Sequence, residues 1–420
     1  MIAAPSLSGK RFAVFGLART GLATLRFLAR SGAAASAWDE RADARDAAAA
    51  ALPGLSLENP MDRDFVELDG LLVSPGVPLD RHPLVARARA AGIPVLGDME
   101  LFQLAREALP PHRLVGVTGT NGKSTVTALL HHLLLAGGML ARMGGNIGAP
   151  VLDQAPLPAG GTYVLELSSF QIDLSATLAC DIAIFTNLTP DHLDRYDGMA
   201  AYCAAKERLF AMQPQGGRAI VATDDAWTRD AFARLPPQVQ GLAVSAADIP
   251  SFDQARWPGL PGPHNAQNIA CAAAAARLLG LGEGAVERGL ASFRPLAHRM
   301  QQVANLGGVR FVNDSKATNP ASAAPALASF DSVLWIAGGR AKSPELEACR
   351  PYFERVKSAF LIGEAADAFA TILSADGVRA RVSGTLQRAV SEAAAAASPG
   401  DTVLLSPACA SFDQFADFEA

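Results

Sequence analysis

The sequence predicts an α/β fold of three consecutive domains, and three observations predict it. The apolar run "RFAVFGLA" opens residues 11–39 and passes through a glycine turn into a helical stretch. A second strand–turn–helix pattern, "LVGVTGTNGKSTVTALLHHLLL", begins at Leu114. From residue 298 on, the strand patterns "VRFVNDS", "VLWIAGG", "AFLIGE" and "TVLLSPA" alternate with helical segments. At 420 residues the chain has room for about three domains of roughly 150 residues each. The expected divisions are 1–110, Rossmann-like; 111–297, a P-loop-type ATPase domain; and 298–420, again Rossmann-like.

In the first block, "RFAVFGLA" reads as a strand, the stretch to Ala29 as a helix, and "AAASAW" as a second strand ending near Asp39. "GLLVS" leads into a turn at Ser74-Pro75-Gly76, followed by the helix "PLVARARAAG" and the strand "IPVLG". These fit one doubly wound sheet. Pro110 and Pro111 break a helix and mark the boundary. The second block adds the strands "YVLELSS" and "DIAIFTN" and the helix "MAAYCAAKERLFAM". After an irregular, Pro-rich stretch, 248–263, comes the helix "NAQNIACAAAAARLLG". Ala-rich runs of this kind read as packed helices. No repeat of 20–50 residues and no low-complexity tail is visible.

Half of the residues are hydrophobic and 18% are charged, so large cores can form. With 36 basic and 41 acidic residues, the net charge of -5 argues against a general nucleic-acid or anionic-membrane binder. Cys180, Cys203, Cys271, Cys349 and Cys409 are scattered and form no CxxC pair. They read as buried or idle thiols of a reducing compartment rather than a disulfide framework or zinc site. "MIAAPSLSGKRF" lacks the layout of a signal peptide, and no run approaches 18 apolar residues. The expectation is a cytoplasmic protein without membrane insertion, working as a monomer.

The central loop fails the standard phosphate-loop count, which needs a glycine at 117, where Val117 stands. It still supplies what a phosphate requires. Gly119 and Gly122 let backbone N–H groups approach, Lys123 supplies a cation, Ser124 or Thr125 a hydroxyl for Mg²⁺, and the next helix points its positive end at the anion. The competing reading is an ordinary strand-to-helix turn. Glu166 ends one strand, and Asp191 and His192 follow another, where open α/β sheets bind ligands. Each alone reads as a surface or hydrogen-bonded group; with the loop they make a magnesium environment. Lys206, on an amphipathic helix, reads from its own residues as solvent-exposed. Gly16-Leu17-Ala18-Arg19-Thr20-Gly21 is a dinucleotide fingerprint with Ala18 in place of the middle glycine, and Asp39 lies near the ribose-reading position.

"GTNGKST", "ELSSFQ", "TNLTPDHLDRY", "AAKERLF", "HNAQNIACA" and "HRMQ" follow one another along the chain. In these motifs it resembles the Mur ligases of peptidoglycan synthesis and their folylpolyglutamate synthetase relatives, over nearly its whole length. "NDSKATNP" and "LLSPACASFDQF" resemble the branch that adds D-glutamate to UDP-N-acetylmuramoyl-L-alanine. The resemblance implies ATP and Mg²⁺ as cofactors. Gly119, Thr120, Asn121, Gly122, Lys123, Ser124 and Thr125 would form the ATP loop, with Lys123 on the γ-phosphate. Ser124 and Glu166 would hold one Mg²⁺, and His192 and Lys206 a second, Lys206 matching a position carbamylated in the family. Asn268 would contact adenine, and Arg299, Asp314 and Lys316 would reach ATP from the third block. Leu17, Ala18, Asp39 and Arg41 would lie near the UDP moiety, with Asn146 and Ser168 on the rest of that substrate. Thr318, Lys342, Ser411 and Phe418 match positions that hold D-glutamate. Read from its own residues, Ser411 could equally cap a helix opening at "SFDQFADFEA".

The implied reaction phosphorylates a carboxylate and lets an amine displace the phosphate. A site drawing on two blocks implies rotation of the third domain about a hinge near 295–298. In departure from the family, the chain stops at "FADFEA", within a helical pattern, where the family continues with Arg-Gly and a further helix. The alternatives are a sister ligase for another amino acid, a folylpolyglutamate synthetase, a dinucleotide-binding oxidoreductase on the strength of the first block, and a non-catalytic nucleotide-binding module.

Overall fold

The computed structural model describes residues 1–249, 256, 257, 259–341 and 345–420. The first sheet contains β1 (Arg11–Phe15), β2 (Ala34–Trp38), β3 (Ser56–Leu57), β4 (Gly70–Val73) and β5 (Val95–Leu96), ordered β3-β2-β1-β4-β5 and all parallel. The second contains β6 (His112–Thr118), β7 (Ala141–Gly145), β8 (Gly161–Glu166), β9 (Ile182–Phe185), β10 (Arg218–Ala222) and β11 (Gln240–Val244). Its order is β11-β10-β9-β6-β8-β7, again all parallel. In both sheets the order reverses beside the first strand, which opens a crevice at the strand ends where ligands bind.

The third sheet contains β12 (Gln301–Leu306), β13 (Val309–Asn313), β14 (Val333–Gly338), β15 (Val356–Ile362), β16 (Ala380–Gly384) and β17 (Thr402–Leu405), ordered β12-β13-β17-β14-β15-β16. It is parallel except for the β12–β13 hairpin. Gly307 and Gly308, at φ 59° and 80°, make that two-residue turn, because both central residues need the left-handed region. β12 has no counterpart in the sequence reading: "QQVANL" is an edge strand exposed over most of its length and lacks an apolar alternation.

The chain divides into two compact units, 1–245 with 268–289, and 246–267 with 290–420. In the first unit one core joins both sheets. It runs from Phe12, Val14 and Phe27 through Met99 and Phe102 to Leu114, Tyr163 and Phe185. The helix Asp98–Ala105 bridges the sheets, its Phe102 ring standing edge-on to Tyr163 at 5.1 Å. The helix Lys123–Ala136 buries Val126, Leu129, Leu130, Leu133 and Leu134, an i, i+3, i+4 stripe. In the helix Pro263–Leu278, residues Ile269 to Ala276 are all buried, as small side chains permit. All five cysteines are buried.

The helix expected at the C-terminus does not form. Gln414 and Phe415 donate to the Ser411 carbonyl, one helical turn, and the Asp417 carboxylate then takes the N–H groups of Glu419 and Ala420 at 2.9 Å. Such local side-chain acceptors compete with a helix. Ser411 is therefore no helix cap. Among the described residues no helix is long and apolar enough to cross a membrane.

Candidate functional site

The central loop begins where β6 ends. Gly119 has φ 142°, and a Cβ there would lie 2.0 Å from Thr186 Oγ1. Gly122, at φ 82°, precedes the helix, and a Cβ would meet Asn268 Oδ1 at 2.3 Å. Both positions need glycine. Gly116 and Val117 belong to β6, so the failed count reflects a loop that starts later. The residues after β9 hold it: Thr120 N donates to Asn187 O at 2.8 Å, and Asn121 N to Asn187 Oδ1 at 2.9 Å. Thr186 Oγ1 donates to Asn121 O at 2.6 Å. Ser124 is buried and Thr125 half-buried on the first helical turn.

Two ammonium groups converge on one carbonyl. Lys123 Nζ donates to Gly119 O at 3.0 Å and Thr120 O at 2.7 Å; Lys206 Nζ donates to the same Gly119 O at 2.9 Å. Lys206 is 1% exposed, which corrects its reading as a solvent-exposed residue. On the helix Gly198–Ala211 it shares a face with Tyr202, Leu209 and Phe210, spaced four and three residues away, all buried. Its ammonium lies 4.5 Å from the centre of the Tyr202 ring. Burial, and then the charge of Lys123, push it well below the ordinary lysine value, against a partial offset from Asp191 and Asp173.

Beside them the Ser124 hydroxyl donates to Glu166 Oε2, and Asn146 Nδ2 donates to Glu166 Oε1 at 3.0 Å. Ser168 caps the helix Ser169–Asp173 two residues later. His192 holds a left-handed backbone, φ 55°, unusual for a non-glycine residue. Its ring packs edge-on to Phe170 at 4.8 Å, with Nε2 3.5 Å from Asp191 Oδ2. Among the described residues no three His, Cys, Asp or Glu side chains form a metal cluster. Ser124 and Glu166 nonetheless offer hard oxygen donors, which suit a magnesium ion that keeps water or phosphate in its remaining positions.

At the first sheet, Gly21 does the work of a third fingerprint glycine, since a Cβ would lie 1.9 Å from Gly16 O. Ala18 is extended, at φ -69° and ψ -172°. Both Asp39 oxygens bind backbone, Leu17 N at 2.8 Å and Arg41 N at 3.0 Å, so Asp39 braces this loop. The Arg41 side chain is 64% exposed. Arg19, not singled out in the sequence, reaches Gly148 O at 2.6 Å and ties the loop to the "GGNIG" segment of Asn146. Its place between Gly16 and Gly21 was the available signal.

In the second unit, Arg299 lies between two left-handed residues, His298 at φ 63° and Met300 at φ 46°. Asp314 accepts from Met300 N at 3.0 Å and Ser406 Oγ at 2.8 Å, and burial pushes its carboxyl up to about 7. The Lys316 ammonium lies 4.7 Å from the centre of the Phe418 ring. Thr318 N donates to Lys316 O at 2.9 Å. A cavity of about 140 Å³ opens beyond β14, β15 and β17, lined by residues including Gly338, Ile362, Leu405, Ser411, Asp413 and Phe418. Asp413, absent from the sequence reading, accepts from Glu364 N at 2.9 Å. Lys342 lies outside the described residues.

Three family profiles match the chain. They are the Mur ligase MurD-like N-terminal domain over 10–97, the Mur ligase middle domain over 117–257 and the Mur ligase glutamate ligase domain over 298–409. A UDP-N-acetylmuramoylalanine--D-glutamate ligase of Sphingopyxis alaskensis is 57% identical, covering 100% of this chain and 97% of the relative. A protein of that name from Novosphingobium aromaticivorans is 53% identical, covering 100% and 94%. In fold, the chain is similar to MurF of Acinetobacter baumannii (TM-score 0.61, 17% identity, 95% and 87% covered). It is likewise similar to the UDP-N-acetylmuramate-alanine ligase MurC of Thermotoga maritima (TM-score 0.58, 16% identity, 95% of each chain covered). With matches of this identity along its whole length, the chain belongs to the Mur ligase family.

Proposed function

We propose that this chain joins D-glutamate to UDP-N-acetylmuramoyl-L-alanine with ATP, in the cytoplasmic synthesis of peptidoglycan precursors. The observation that carries the chemistry is the meeting of Lys123 and Lys206 on the Gly119 carbonyl, beside the Ser124–Glu166 pair. The choice of substrates is supported by relatives of that name at 57% and 53% identity over the full chain.

A carboxylate is a poor electrophile. Its oxygen attacks the γ-phosphorus of ATP, the bond to ADP breaks, and an acyl phosphate forms. The amine of D-glutamate attacks the acyl carbon, loses a proton, and phosphate leaves from the tetrahedral intermediate. Negative charge gathers on oxygen in both steps, and the Lys123 ammonium, turning from the Gly119 and Thr120 carbonyls to the phosphate, offsets it. Magnesium held by Ser124 and Glu166, with a second ion at His192 and Lys206, supplies further charge neutralisation when bound. The depressed ammonium of Lys206 readily yields a neutral amine. That amine adds to carbon dioxide and releases a proton, giving a carbamate whose charge suits Lys123 and a cation.

The other roles follow the same reading. Gly119 to Thr125 hold the phosphates and Asn268 the adenine, with Arg299, Asp314 and Lys316 on the ATP from the second unit. Leu17, Ala18, Asp39 and Arg41 hold the UDP moiety, and Asn146 and Ser168 the remainder. Thr318, Lys342, Ser411 and Phe418 hold D-glutamate. The working protein is a monomer of three domains, 1–110, 111–297 and 298–420, the last closing about residues 295–298.

The test is phosphate release in the presence of UDP-N-acetylmuramoyl-L-alanine and each of D-glutamate, L-glutamate, meso-diaminopimelate and L-lysine. D-glutamate alone should support turnover. Preference for another amino acid makes the protein a sister ligase, and no release with any removes the ligase reading.

A further inference from the structure

The helix Asp98–Ala105 grips the segment that follows β8. Glu100 accepts from Ala176 N at 2.8 Å and Thr177 N at 3.0 Å, and Gln103 Oε1 accepts from Ala179 N at 3.1 Å. Asp98 differs from these. It is buried, yet among the described residues the only bond to its side chain from another side chain is a long one, from Gln171 Nε2 to Oδ2 at 3.4 Å. Its Oδ1 is buried without a hydrogen-bond partner. Asp98 also lines a cavity of about 10 Å³ with Thr20, Gly21, Thr24 and Ser74, directly under the Gly16–Gly21 loop. That volume suits one water molecule, and the hydroxyls of Thr20, Thr24 and Ser74 suit its hydrogen bonds.

Gln171 carries the connection onward. Its Oε1 accepts from Ser168 N at 3.2 Å, and its own N–H donates to Ser168 Oγ at 3.2 Å, a capping box. With the amide oxygen committed to Ser168, the amide NH₂ needs an acceptor, and Asp98 provides it. An apolar residue at 98 leaves that NH₂ unpaired and the amide free to turn over. Ser168 lies two residues after Glu166. Hydrogen bonds thus run from Asp98, which lines the cavity beside the first-sheet loop, through Gln171 to Ser168, two residues past Glu166.

We infer that Asp98 is a positioning residue, which fixes the Gln171 amide and, through it, the Ser168–Glu166 strand end relative to the Gly16–Gly21 loop. The inference rests on the ligase reading only for its kinetic consequence. Groups that orient metal-side carboxylates cost about 10- to 100-fold in activity or metal affinity when lost.

Hydrogen exchange of the ligand-free protein reads the geometry directly. Asp98→Ala should speed exchange of the Ser168–Gln171 amides by about tenfold or more, leaving the third sheet unchanged. It should also lower kcat by about tenfold and raise the half-saturating Mg²⁺, with KM for ATP within about twofold. Asp98→Asn should restore both, because its amide oxygen accepts the same bond. Unchanged exchange at Ser168–Gln171, or a lower melting temperature with kcat intact, overturns the inference. If Asp98→Ala does not fold, Gln171→Met asks the same question from the other end. Lost kcat with faster Ser168 exchange then supports the inference, and intact kcat overturns it. Absence of turnover in the unaltered protein counts against the ligase reading alone, since the exchange comparison still decides this one.

Discussion

Two loops of the first unit share a backbone device and differ in chemistry. Gly16–Gly21 and Gly119–Ser124 each leave the first strand of a parallel sheet, turn on positive-φ glycine and enter a helix. At the first, a carboxylate takes one of the loop's backbone donors: Asp39 binds Leu17 N with one oxygen and its own neighbour Arg41 N with the other. At the second, Asn187 braces the loop, while two lysines and the Ser124–Glu166 pair stand at its mouth. The turn makes either loop able to approach an anion, and the neighbouring strand ends decide which chemistry follows.

The difference can be broken at its strongest point. Lys123→Ala should cut phosphate release by about a hundred- to a thousandfold, since one preorganised group on the developing oxyanion is worth about that much. Circular dichroism should show the fold intact, and near-normal turnover would remove the contrast between the loops. Lys206→Ala should fall by a similar factor, with partial recovery in short carboxylic acids that stand in for a carbamate. Lack of recovery in a dose series would count against that role.

The pH dependence of stability tests the junction beneath the first loop. Burial raises the Asp98 carboxyl from 3.8 to about 6. The folded state therefore holds this proton more tightly than the unfolded chain. Stability from this group is full at low pH and is lost as pH rises from about 4 through about 6, by at most roughly 3 kcal/mol. Asp98→Asn has no such titration. Its melting temperature should exceed that of the unaltered protein by a margin that grows up to about pH 6 and then stays level. A margin independent of pH would place the proton elsewhere. The smallest expected effect is at the first loop's brace. Asp39→Ala should raise KM for the UDP substrate by about tenfold, with KM for ATP unmoved, as loss of hydrogen bonds to a charged acceptor warrants. An equal change in both would mean that the two loops are not separate subsites.

Much of this was legible in the sequence because local signals carried it. β1 and β6 are apolar runs that stop at glycine, and the loops after them keep their glycines for reasons of space. β12 was not legible, since "QQVANL" is an exposed edge with no alternation to read. The terminal stretch "SFDQFADFEA" has helical spacing, but the Asp417 side chain takes the backbone donors instead. Lys206 shows the limit of residue-type reasoning: the chemistry of lysine says exposed, while its spacing from Tyr202, Leu209 and Phe210 puts it on the buried face. The Asp98–Gln171 contact joins residues 73 positions apart, and only the packed fold brings them together.

The central claim is that ATP activates a carboxylate by passing its γ-phosphoryl group to it. UDP-N-acetylmuramoyl-L-alanine with oxygen-18 in its terminal carboxylate tests this in one measurement, by mass spectrometry of the phosphate released on addition of D-glutamate. An acyl phosphate requires one labelled oxygen to leave with the phosphate. Unlabelled phosphate, with product forming at the same rate, would contradict the account.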